Sequence, residues 1–184
     1  MVLFTALSLS LAWSAEPVEV VQVRAQWTDV TARIAAGEVV VTTVDFNANK
    51  ASFPAVGTWS HRVELIRTWR DPERAEGPGL NELPTKIVET ASVAAPAWKG
   101  EYLYDGSRLR FAVVEDPERG VIRAYYDTQG KPVRLVVGST VHDQPGAGER
   151  ATAQAIAAHG GELMDRARVV LAFAEDHGAL AQPR

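Results

Sequence analysis

The 184-residue chain contains no cysteine. That excludes disulfides, thiolate nucleophiles, zinc–thiolate fingers and iron–sulfur clusters together. Lysine is scarce too: only Lys50, Lys86, Lys99 and Lys131 occur, so 15 of the 19 basic residues are arginine. With 23 acidic side chains the formal charge is −4, and no clustered Lys and Arg prepare a nucleic-acid surface. No apolar run is long enough to span a bilayer, which takes roughly 20 residues. The longest runs from Val2 to Trp13, so no transmembrane segment is expected.

That run lies within a 15-residue segment, MVLFTALSLSLAWSA, that carries no charge. It reads as the apolar stretch of a signal peptide. Small residues at Ala12, Ser14 and Ala15 allow cleavage after Ser14 or Ala15. The expectation is a periplasmic or secreted protein whose mature part, 16–184, is a single domain. About 170 residues bury an adequate core without covalent staples.

Residues 17–36 carry Val20, Val23, Trp27, Val30 and Ile34 at steps of 3 and 4, one stripe of an α-helix. Pro17 suits its first turn and Gly37 its stop. From Val39 to Phe46 the composition turns to that of a strand. Trp59, His61, Val63, Leu65, Arg67 and Trp69 then alternate with more polar residues. Five further strands are expected near 86–93, 98–104, 108–115, 121–126 and 133–137. Asp105-Gly106, residues 116–120 and residues 127–132 supply the turn chemistry between the last four. Residues 71–84 are Pro-, Gly- and Glu-rich and read as a mobile loop, and 138–148 as another. Residues 149–177 form a second amphipathic helix that Gly160-Gly161 is expected to kink or split, and 179–184 are a tail. Short connections imply a meander. The predicted fold is α+β: an antiparallel sheet of six or seven strands with both helices packed on one face.

Two segments share a grammar. Tyr102-Leu-Tyr-Asp-Gly106 leads to Leu109 and Phe111. Tyr125-Tyr-Asp-Thr-Gln-Gly130 leads to Leu135. These hairpins resemble those of a group of uncharacterised exported bacterial proteins. The resemblance implies export and a similar architecture, and it brings no activity with it.

No catalytic set is legible. His61 lies among apolar strand positions and reads as structural. His142-Asp143, with Ser139 nearby, lacks the elbow and oxyanion donors of a hydrolase. His159 and Glu162 share a helix face at metal-ligand spacing, but Gly160-Gly161 stands between them and no H-E-x-x-H occurs. Glu175-Asp176-His177 reads as a polar helix end. Gly77-Pro-Gly79 and Gly146-Ala-Gly148 lack the spacing of a nucleotide loop. Neither cofactor nor metal is expected. Seven strand arginines (Arg62, Arg67, Arg70, Arg108, Arg110, Arg123 and Arg134) read as a salt-bridged face.

These observations favour an exported, non-enzymatic module that binds a protein or an envelope component. The alternative is a carrier or sensor of a small apolar or anionic ligand held between sheet and helix, with Trp59, His61, Val63, Leu65, Arg67 and Phe111 as candidate ligand-binding residues. A third reading is an enzyme built on His61 or His142, which requires a carboxylate beside the ring.

Overall fold

In a computed structural model, residues 16–49, 52–53, 57–69, 80–93 and 97–176 are described. The proposed signal peptide, Arg70, most of the 71–84 loop, His177 and the tail lie outside them. Helix α1 spans Val18–Ala35. Strands follow at β1 Val39–Phe46, β2 Ser52–Phe53, β3 Gly57–Thr68, β4 Lys86–Val93, β5 Ala97–Asp105, β6 Arg108–Asp116, β7 Gly120–Tyr126, β8 Pro132–Val137 and β9 Thr140–His142, and helix α2 spans Ala147–Asp176. The fold is the expected α+β meander. Eight strands form an open antiparallel sheet in the order β1-β3-β4-β5-β6-β7-β8-β9, and β2 pairs with the start of β3. Strand β9 was not anticipated. Residues read as loop fold back through Gly138, at φ 60°, and pair with β8.

The helices pack on opposite faces of the sheet, which corrects the one-face expectation. Alternation along the central strands explains why. Tyr102, Ala112, Ala124 and Leu135 are cross-strand neighbours on the face that packs on Leu163, Met164, Ala167 and Leu171 of α2. Leu103, Phe111 and Tyr125 alternate with them and pack on Val20, Val23 and Val30 of α1. A strand that is apolar at successive positions needs cover on both sides. The α1 side also buries Lys86, whose Nζ lies 2.6 Å from Glu101 and 3.9 Å from the centroid of the Trp27 ring. The ammonium is held by a carboxylate and an aromatic face at once.

The glycine pair does not break α2, which runs through Gly160 and Gly161 without interruption. A side chain at Gly160 would put its Cβ 3.1 Å from Leu109 and 3.4 Å from Tyr102, so its absence lets the helix settle close to the sheet. Two buried tyrosines, one from each hairpin repeat, reach across that short gap. Tyr104 donates its hydroxyl to the Gly160 carbonyl at 2.9 Å, and Tyr126 donates to the Ala153 carbonyl at 2.7 Å. The two carbonyls are seven residues apart, two helical turns, so both lie on the sheet-facing side of α2.

Candidate functional site

Where β3 and β4 run beneath the middle of α2, three titratable side chains meet. Glu89 on β4 is 3% exposed. Its Oε1 lies 2.6 Å from His61 Nε2 of β3, and its Oε2 lies 2.7 Å from His159 Nε2 of α2. His61 and Glu89 stand on one face because the antiparallel register opposes Val63 to Glu89 and His61 to Ala91. His159 reaches down from the helix directly before Gly160, where a side chain would crowd Leu109 and Tyr102 of the sheet. The rings are bracketed by aromatics: Phe46 stacks on His61 at 5.4 Å, and Trp98 meets His159 edge-on at 5.6 Å.

Burial alone would push the Glu89 carboxyl up. Hydrogen bonds and charge from His159, and then from His61, outweigh that and leave it below its ordinary range. The same bond to Glu89 raises the His159 pKa against its own desolvation. The unit is therefore a carboxylate clamped between two imidazoles. Among the described residues no hydroxyl is hydrogen-bonded to either ring, so the clamp has no activated nucleophile beside it. No group of three ligating side chains among the described residues is disposed to hold a metal ion. His159 turns to Glu89 rather than to Glu162.

The six candidate ligand-binding residues divide. Trp59, His61, Val63, Leu65 and Arg67 share the α2 face of β3, and Val63 and Leu65 are consumed in the core there. Phe111 lies on the α1 face, with Trp27 edge-on at 5.2 Å, so it cannot line a common cavity with them. His142 has a carboxylate near it, Glu149 at 3.8 Å, but Asp143 is bonded to Arg134. Ser139, His142 and Asp143 thus do not assemble a triad. The strand arginines are dispersed: Arg62 pairs with Asp45 and Glu64, Arg110 with Asp105, and Arg134 with Glu16 and Asp143. Arg67 differs from them, with Nε and Nη2 buried and unpartnered.

Sequence reasoning missed the partnership of Glu89 with two histidines. The available signal was a glutamate at a buried-phase position of β4, two residues from Ile87 on the same face. It also missed an open cleft of about 580 Å³ between α1 and the entry to β4. Several polar groups of that cleft are engaged internally: Gln26 with the Tyr104 carbonyl, Arg33 with Asp29, and Asn81 with Thr68.

The sheet ends differently at its two sides. β9 is a three-residue edge, whereas β1 offers eight residues whose outer side pairs with nothing among the described residues. Its sequence, VVVTTVDF, has no lysine and no proline, and Val41 and Phe46 are 48% and 49% exposed. Comparison with protein-family models, curated proteins and solved structures finds no match to this chain. No helix among the described residues is long and apolar enough to cross a membrane.

Proposed function

We propose that the chain is an exported, non-catalytic module that recruits a protein of the cell envelope by adding an extended segment of that partner to β1. The observation that carries this reading is the eight-residue outer edge of β1. An exposed edge presents a row of unused N–H and C=O groups, and proteins ordinarily blunt such edges with lysine, proline, bulges or shortness. β9 is blunted by shortness and β1 by none of these along its length. Strand addition draws affinity from the main chain and selectivity from alternate side chains. Val40, Thr42, Val44 and Phe46 on the α2 side, and Val41 and Thr43 on the other, present a β-branched and aromatic surface suited to an apolar, β-branched partner strand. The uncharged segment 1–15 supports export. Glu89 is the carboxylate that an enzyme built on His61 would require, but it spends one oxygen on each of two imidazoles, an arrangement that favours a structural tie between sheet and helix.

Site-directed photo-crosslinking in the producing cell tests this. A photoreactive residue at Thr43 should yield one discrete adduct, absent when the probe is placed at Val141 on β9. The Val41→Lys substitution, which places a charge on the edge, should abolish it. Equal adducts from both edges, or an adduct indifferent to Val41→Lys, would remove β1 from the reading.

A further inference from the structure

One buried cation lacks the partners its position demands. Arg67 of β3 is 2% exposed beneath the last turns of α2. Its nearest carboxylate is Glu175, with Oε1 3.7 Å from Nη1, too far for a hydrogen bond. Its Nε and Nη2 are sealed from solvent and have no partner, and they are the only buried side-chain nitrogens or oxygens so left among the described residues. Burial draws its pKa down and Glu175 draws it back, but a guanidinium keeps its proton.

The two idle donors belong together. Nε and Nη2 form one edge of the guanidinium plane, and that edge engages the two oxygens of a carboxylate or phosphate side by side. Leaving it empty away from water is costly, and a buried donor without a partner calls for an occupant. The end of the helix that covers it is electrostatically unfavourable. The last turn of α2 has no basic residue, and Glu175 and Asp176 stand where the helix dipole is already negative. The Glu175 side chain is 58% exposed, so it loses little by swinging into solvent.

We propose that Arg67 is the anchor of a binding site for a small oxyanion, a carboxylate or a phosphate, which enters beneath the last turn of α2 and displaces Glu175. This site is independent of the β1 edge. The ligand's charge replaces that of Glu175, and its two oxygens take the Nε–Nη2 edge that Glu175 cannot reach.

The test is a titration of the full mature chain with sodium acetate and, separately, inorganic phosphate, at ionic strength held constant with sodium chloride. The Arg67 Nε–H resonance and the amides of residues 171–176 are followed by ¹⁵N NMR. A saturable shift of Arg67 Nε–H with one anion is expected, and whichever saturates at the lower concentration names the ligand chemistry. Glu175→Gln should tighten the apparent Kd several-fold, because it removes the competing charge. Arg67→Lys, which keeps the charge and loses the edge, should weaken it at least tenfold. Should Arg67→Lys fail to fold, the Nε–H signal and Glu175→Gln still decide. Shifts that never saturate, saturation that leaves Arg67 Nε–H unmoved, or a Glu175→Gln protein with unchanged affinity would overturn the proposal.

Discussion

Glu89 and His159 lie 70 residues apart in the chain and meet at 2.7 Å between β4 and α2. The contact ties the sheet to its covering helix through charge. It acts alongside the hydrogen bonds of Tyr104 and Tyr126 to the helix carbonyls.

Its pH dependence follows from the two shifts. Glu89 is held below its ordinary 4.5, so its contribution to stability is present above pH 4.5 and is lost as pH falls through the lowered value. His159 is raised above 6.5, so its contribution is present below pH 6.5 and is lost as pH rises through the raised value. Stability from the clamp is therefore fullest between about pH 4.5 and 6.5. Urea midpoints measured from pH 4 to 9 should fall on the alkaline side of that window. Glu89→Ala should flatten that alkaline decline and cost about 2–3 kcal/mol at pH 6. An unchanged slope in the variant would contradict the assignment.

The glycine pair separates two effects that sequence cannot. Nothing lies within 4 Å of a Cβ at Gly161, so Gly161→Ala should gain up to about 1 kcal/mol from helix propensity. At Gly160 the same gain is opposed by crowding against Leu109 and Tyr102. Thermal unfolding should rank Gly161→Ala above wild type and Gly160→Ala below Gly161→Ala.

Tyr104 and Tyr126 each donate to a helix carbonyl, and burial pushes both phenols up in pKa. Phenylalanine at either position should cost about 1 kcal/mol. The effects should add, since the acceptors sit two turns apart on α2. Chemical denaturation of the two single variants and the double variant checks this.

Arg134 bonds both Glu16, ahead of α1, and Asp143, after β9. Arg134→Ala should leave the fold intact but loosen the first turn of α1. Amide exchange of Val20 to Val23 should then accelerate more than that of Ile34 and Ala35. Uniform acceleration along α1 would argue against a local anchor.

Most of the architecture is legible in the sequence, because strand and helix periods are local properties. The apolar steps of 3 and 4 in α1, the alternation in β3 and the Asp105-Gly106 turn, with Gly106 at φ 58°, all read correctly. Where the reading failed, the deciding contact was distant. Gly160-Gly161 has the composition of a break, yet Leu109 and Tyr102, some 50 residues away, make Gly160 a point of close packing. β9 was missed because three residues carry too little period and depend on β8 as a template.

Sequence by itself thus determined the two helices, the longer strands, the meander and the absence of thiol chemistry, since these depend on residue type and on neighbours within a few positions. Only the tertiary structure decided which face each helix covers, that Glu89 sits between His61 and His159, that Phe111 parts from the other candidates, and that Arg67 is buried with two free donors. Those are outcomes of register and of which surfaces meet. A shift of one residue in strand pairing exchanges the faces, and no local pattern encodes a carboxylate's partner across a sheet.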